Sequence, residues 1–239
     1  MSSSRRRWSG WGAGLATLTL AFAGCSGDEE PPTAAEFAER LLVATDLEGE
    51  WSVSPGPPGD DAISPDGIVS EDAAELLPTV ELCEAASEAS RAAADGLRPL
   101  AFRQLDLAVD DPIDPPDDTV GHMVFVQEFL FADEASSLRA TFDMVSDGML
   151  ACLGEIPAGE EGPGTAVEVT MPEVGDDRVG VLAIIEEAGG WAQWRLYTAL
   201  VLDGPRMGSI VLVDIRAGVE PYFTDAEFGE IVETAVAKW

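Results

Sequence analysis

Basic side chains are scarce in this chain of 239 residues, and their scarcity excludes whole classes of function. Lysine and arginine together number 13 against 45 aspartates and glutamates, which gives a formal net charge of −32 at pH 7. A surface of this charge repels the phosphates of nucleic acids and of anionic lipids, so nucleic-acid binding is excluded. Because Lys238 is the only lysine and His122 the only histidine, any acid–base catalysis would have to use carboxylates.

Catalytic and cofactor-binding motifs are also missing from the sequence. It contains no Gly-x-Ser-x-Gly elbow, no phosphate-binding loop and no dinucleotide fingerprint. Two distant cysteines and one histidine do not supply a zinc set, and the aspartates between residues 106 and 118 do not have the spacing of an EF-hand loop. We therefore expect a protein that is not an enzyme and that holds no metal and no cofactor.

The N-terminus has the pattern of an export signal. Arg5–Arg7 precede an apolar run over Ala13–Ala23, and at about 11 residues this run is shorter than the ~20 needed to span a bilayer. Leu20–Cys25 resembles a bacterial lipoprotein signal, in which the cysteine is lipidated and becomes the first mature residue. A plain signal peptide cut nearby and an uncleaved anchor are the alternatives, and the arginines leave general and twin-arginine export both open.

The lipoprotein interpretation assigns Cys25 to lipid and places the protein on the outer face of the cell membrane. It divides the chain into a signal peptide (1–24), an acidic tether (25–33) and one domain (34–239). The two remaining cysteines, Cys83 and Cys152, form an even pair in an oxidising compartment, which favours a disulfide over two separate thiols. Closing a loop of roughly 70 residues would stabilise the fold by about 4 kcal/mol.

The hydrophobic pattern of the domain predicts an α+β fold. Capping boxes open a first helix at Thr33 and a last helix at Thr224, and alternating apolar residues predict a strand over 120–131. The last third alternates in the same way between turns, including a two-residue turn at Asp203-Gly204. We expect a mostly antiparallel sheet of about five strands with helices packed against it.

Three parts of the chain carry a resemblance to a known kind of protein. They are the opening helix that ends in 41–47 with Trp51 soon after, the segment 126–135 with its helix ending in Cys152, and the closing meander and helix. The sequence resembles the sensor-like domains of actinobacterial surface lipoproteins and the extracellular domain of PknH-type membrane kinases. The resemblance implies a disulfide-stapled domain with a cleft that binds an unidentified ligand, and it supplies no catalytic residues.

Candidate ligand-binding residues lie mainly on one predicted strand. Trp191, Arg195 and Tyr197 share a face by the period of two, and aromatic rings beside an arginine can stack on a ligand. His122 joins them as the only histidine, whose pKa is easily tuned. In each case an ordinary core or sheet-edge role is the competing interpretation.

Together these features predict a monomeric, lipid-anchored module that binds or senses a small hydrophobic or other envelope ligand. The alternative is an assembly lipoprotein that works through a partner protein, whose mark would be an exposed apolar patch.

Overall fold

Eight strands pair side by side into one antiparallel sheet in the computed structural model. The structure describes residues 33–54, 63–64, 66–69, 83–94, 97, 99–109, 123–156, 162–186, 192–217 and 221–239. Along the chain the strands are β1 (Trp51–Val53), β2 (Ala101–Leu107), β3 (Met123–Ala132), β4 (Gly154–Ile156), β5 (Gly164–Glu168), β6 (Asp177–Glu186), β7 (Ala192–Asp203) and β8 (Arg206–Ala217). The helices are α1 (Ala34–Arg40), α2 (Glu84–Ala94), α3 (Ala135–Ala151) and α4 (Asp225–Val236), with a short 3-10 helix over Ala44–Asp46.

The strand order is β1-β2-β3-β8-β7-β6-β5-β4, so two meanders meet where β3 pairs with β8. The first meander runs outward to the edge strand β1, and the second runs outward to the edge strand β4. Because β4 follows β3 in the chain but lies at the far edge, α3 carries the chain across one face of the sheet.

Local sequence signals set the ends of two helices. The Thr33 side chain accepts a hydrogen bond from the Glu36 backbone N–H while the Glu36 carboxylate accepts from the Thr33 N–H, and Thr224 and Glu227 repeat the arrangement at α4. These hydrogen bonds hold the pKa values of Glu36 and Glu227 below their usual range. Both capping boxes that the sequence predicts are confirmed.

Each face of the sheet has its own hydrophobic core. On the α1/α4 face, residues such as Val126, Leu212 and Tyr197 pack against Phe37 of α1 and Phe228 of α4. On the α2/α3 face, a second cluster gathers around the side chains of Phe102, Phe129, Phe131, Leu138, Phe142 and Met149. The alternation expected along β3 is confirmed, since Val126 lies in the first core and Phe129 in the second.

The disulfide between Cys83 and Cys152 is present and joins the start of α2 to the end of α3. The two Cα atoms are 5.7 Å apart, which is usual for such a bridge. The expected pairing is therefore confirmed.

The expected number of strands was wrong, since the sheet has eight strands in place of about five. The two short edge strands, β1 and β4, have three residues each, and a run this short shows no alternation that a sequence pattern could reveal. The turn between β7 and β8 is also shifted by one residue: Asp203 pairs with Arg206, so the loop is Gly204-Pro205, with Gly204 at φ +57°. In the described part of the chain, no helix is long and apolar enough to cross a membrane.

Candidate functional site

A small cavity lies between α2, α3 and the centre of the sheet. It measures about 30 Å³ and sits within a wider hollow of about 440 Å³ that includes its mouth to solvent. The residues that line it come from five parts of the fold: Ser90, Ala93 and Leu97 in and after α2, Val145 and Met149 in α3, Phe131 in β3, Thr198 and Leu200 in β7, and Met207 and Ser209 in β8.

The α2 helix creates this space because it has little side chain to bury. Its sequence, EAASEASRAAA, is mostly alanine and serine, so its inward face fills less volume than leucines would. Close packing then fixes α2 against α3 near Gly148, where an added Cβ would lie 2.7 Å from the Ala89 Cβ. The disulfide at Cys83 holds the same end of the helix pair. The hollow opens beyond this contact, under Ser90 and Ala93.

Three hydroxyl groups face this apolar space. Ser90, Thr198 and Ser209 expose 5, 3 and 5% of their surface, and within the described residues none of their hydroxyls makes a hydrogen bond. Thr198 and Ser209 lie on neighbouring strands, diagonally across the pair Leu200–Ser209. No ionisable side chain is among the lining residues. The arrangement can therefore bind an uncharged group by hydrogen bonds and apolar contact, and it offers no acid, base or nucleophile pair for chemistry.

The opposite face holds a buried carboxylate that ties both ends of the domain to the sheet. Glu128 is 1% exposed, and its two oxygens accept hydrogen bonds from the Leu42 N–H at 2.6 Å and the Trp239 indole N–H at 2.8 Å. Arg103 donates to the carbonyl oxygens of Ala38, Leu41 and Leu42 at the end of α1. We call these groups the Glu128 clamp.

Further contacts complete the clamp. Arg40 donates to the Trp239 carbonyl oxygen at 3.0 Å, and Lys238 forms an ion pair with Asp46. The Trp239 ring lies flat against Gly208 of β8, where any added Cβ would come within about 2.0 Å of the ring. This contact requires a glycine for steric reasons.

Burial is the main cause that raises the pKa of Glu128 to about 7, while its hydrogen bonds from Leu42 and Trp239 oppose the shift. A perturbed pKa in a cleft is a mark of an active site. Here both oxygens are occupied by donors and the group is enclosed, so the arrangement indicates a structural role.

The sequence-predicted binding residues are not gathered at the cavity. Tyr197 is fully buried on the α1/α4 face, where its ring packs 5.0 Å from that of Phe228 and its hydroxyl donates to the Phe223 carbonyl at 3.1 Å. Arg195 lies on the same face, and its Nε donates to the Gln193 side chain at 3.2 Å. Trp191 and His122 fall outside the described residues, so the ligand role expected for this group stays a prediction.

Arg195 pairs across the strands with Asp214, a second buried acid. Asp214 accepts hydrogen bonds from the Tyr222 and Phe223 N–H groups, and burial raises its pKa. The Arg216 guanidinium lies 3.3 Å from the Tyr222 ring centre and 3.4 Å, measured from Nε, from Asp214. These contacts hold the segment before α4 in place, which is a structural task.

Sequence reasoning missed the cavity-lining hydroxyls, although one signal for them exists. Thr198 and Ser209 interrupt runs of apolar residues at strand positions that point into a core. A polar residue at such a position needs a partner, and that need marks a candidate site. In the described part of the chain, no group of three or more His, Cys, Asp or Glu side chains could hold a metal ion.

Comparisons with known proteins give one structural relative. No family model matches the chain, and no curated protein matches its sequence. Among solved structures the fold is similar to the extracellular domain of PknH from Mycobacterium tuberculosis, with a TM-score of 0.48 and 15% identity over 87% of this chain and 97% of that domain. The resemblance to the PknH extracellular domain indicated by the sequence is thereby confirmed, whereas the surface-lipoprotein part of that expectation stays a prediction.

Proposed function

We propose that this chain is a lipid-anchored extracytoplasmic module that binds an apolar ligand in the α2/α3 hollow and has no catalytic activity of its own. The observation that carries the proposal is the hollow itself, an apolar space with three unbonded hydroxyls beneath a helix held by a disulfide. Pockets of this composition are the usual form of small-molecule sites.

The disulfide supports the location. Structural disulfides persist in oxidising compartments and are rare in the cytosol, so a bridge that closes a loop over a sequence separation of 69 fits an exported chain. The signal-like N-terminus with Cys25 supports the anchor, and the net charge of −32 would hold the domain away from an anionic membrane surface.

Lipid anchoring is tested by expressing the full chain in a bacterial host fed a radiolabelled fatty acid. We expect label in the membrane fraction, and no label in a Cys25→Ser variant. Equal labelling of the two proteins, or recovery of the unlabelled protein from the medium, would overturn the anchor.

Ligand binding is tested with the neutral dye N-phenyl-1-naphthylamine, whose fluorescence rises in apolar sites. We expect saturable binding that an Ala93→Leu substitution weakens, because Ala93 lines the hollow. The matched control is Ala140→Leu, at an exposed position of α3. A dye signal that is absent, or that both variants leave unchanged, would contradict binding at the hollow.

The alternative, an assembly lipoprotein, has one supporting observation. Leu150 and Leu153 are 37 and 38% exposed at the end of α3, next to the disulfide. A photo-crosslinker placed at Leu153 would capture a stoichiometric partner if this surface docks a protein, and a crosslinker at exposed Glu155 serves as the neighbouring control.

A further inference from the structure

The three hydroxyls of the hollow lack what buried polar groups normally have. Ser90, Thr198 and Ser209 come from α2, β7 and β8, and each is more than nine-tenths buried. Buried hydroxyls are nearly always hydrogen-bonded, because an unbonded one costs roughly 1–3 kcal/mol. Three such groups around one cavity indicate a partner that is not part of the described chain.

The size of the cavity limits what that partner is. One water needs about 10–15 Å³ measured in this way, so about 30 Å³ admits two small groups in a row. A terminal CH₂–OH group has two heavy atoms and fits this volume. The rest of such a molecule would extend into the wider hollow of about 440 Å³.

The lining limits the chemistry further. Met149, Met207 and Phe131 form apolar walls, and methionine side chains adapt easily to an aliphatic chain. None of the lining residues is ionisable, so a carboxylate or an ammonium group would lose its hydration without gaining a counter-charge. A hydroxyl both donates and accepts hydrogen bonds, which matches the same dual capacity of serine and threonine.

We infer that the cavity binds the terminal hydroxyl of an uncharged aliphatic ligand, held by Ser90, Thr198 and Ser209. The inference rests on the proposed function, because it uses the same hollow, and it adds the ligand's chemical class. The close packing of Ala89 on Gly148 fixes Ser90 over the sheet before any ligand arrives, so little ordering is needed on binding.

The experiment follows the methyl groups of the methionines by NMR in the folded, disulfide-bonded protein. Met149 and Met207 line the cavity and report occupancy, while Met123, which is 41% exposed on β3, is the internal control. The probes are 1-octanol, octane and octanoate. We expect saturable shifts of Met149 and Met207 with 1-octanol, and at least about 10-fold weaker binding of octanoate.

Variants then test the hydroxyls directly. Thr198→Val keeps the shape of the side chain and removes its hydroxyl, and Ser209→Ala does the same on β8. Each should weaken 1-octanol binding about 3- to 10-fold, the loss expected for one neutral hydrogen bond, and leave octane unchanged. The control is Ser137→Ala, an exposed hydroxyl at the start of α3.

The outcomes separate this inference from the proposed function. If octane and 1-octanol bind equally, or if both variants bind 1-octanol like the wild type, the hydroxyl inference fails while the apolar site stands. If 1-octanol leaves Met149 and Met207 unshifted while the neutral dye still binds, the inference also fails, and water is the partner of the hydroxyls. If neither the dye nor any probe binds, the proposed function fails with it.

Discussion

The two faces of the sheet are closed by different physical means. The α1/α4 face is closed by directional hydrogen bonds, with Glu128 and Arg103 tying Leu42 and Trp239 to the strands. The α2/α3 face is closed by one covalent bond and by close contact of small residues, Ala89 on Gly148. The first face is filled, whereas the second contains a cavity.

This contrast teaches where a binding function can reside. A carboxylate with both oxygens engaged cannot admit a ligand without leaving buried donors unpaired, which costs roughly 1–3 kcal/mol for each. A face held by a disulfide can tolerate an imperfectly filled core, because the cross-link stabilises the fold independently of packing. The cavity therefore lies on the side where its cost is offset.

The largest expected effect comes from removing the disulfide. Cys83→Ser combined with Cys152→Ser should lower the free energy of unfolding by about 4 kcal/mol, because the unfolded chain regains the freedom of a loop closed over a separation of 69 residues. Urea unfolding measures the loss. Hydrogen exchange should then rise in α2 and α3 before it rises in α1 and α4, and uniform loss of protection would remove the contrast between the faces.

The Glu128 clamp should make stability depend on pH in an unusual direction. Burial raises the pKa of Glu128 from its ordinary 4.5 to about 7 in the folded state. Its stabilising contribution is therefore fully present below about pH 4.5 and is lost as pH rises through 7, a change of about 3 kcal/mol.

The measurement is the urea unfolding free energy of the wild type minus that of Glu128→Gln, across pH 4 to 8. Taking the difference removes the titration of the other carboxylates, and Glu39→Gln, at an exposed position of α1, is the control. A difference that is flat with pH, or that grows as pH rises, would show that the carboxylate is not penalised by burial.

The helix caps should differ between the two faces. Thr224→Ala removes the side chain that accepts from the Glu227 N–H and should cost about 1 kcal/mol. Glu134, at the start of α3, makes no side-chain cap hydrogen bond, so Glu134→Ala should change stability by well under that amount. Thermal unfolding of the two variants side by side tests the difference, and equal losses would contradict it.

The smallest effect is expected inside the cavity, and two adjacent residues of β7 allow a direct comparison. Tyr197→Phe loses the hydroxyl that donates to the Phe223 carbonyl and should cost about 1 kcal/mol. Thr198→Val loses a hydroxyl that makes no hydrogen bond among the described residues, so without ligand it should cost less than about 0.5 kcal/mol. A larger loss for Thr198→Val would mean that the hydroxyl already has a strongly bound partner, such as an ordered water.

Short-range sequence signals predicted much of the fold. The capping boxes at Thr33 and Thr224 depend on residues three apart, and the alternation of β3 depends on residues two apart, so both were visible in the chain. The Cys83–Cys152 pair was predicted from the small number of cysteines. The three-residue strands β1 and β4 were missed because their pairing partners, not their own pattern, make them strands.

The candidate site was beyond the reach of those signals. Ser90, Thr198 and Ser209 are separated in sequence and meet only because β7 pairs with β8 and α2 packs above them. The aromatic grouping around Tyr197 instead suggested a ligand face, whereas Tyr197 is covered by α4. A strand pattern shows which residues share a face, but it does not show which face a helix covers.

The sequence by itself determined the charge, the signal-like N-terminus with Cys25, the cysteine pair and the alternation of helices and strands. These properties follow from composition and from contacts between residues close in the chain. Only the tertiary structure decided that Glu128 ties both ends of the domain to the sheet and that an alanine-rich helix leaves a cavity under Ser90. Both depend on elements far apart in the chain, because burial and empty space are properties of packed surfaces and not of any one segment.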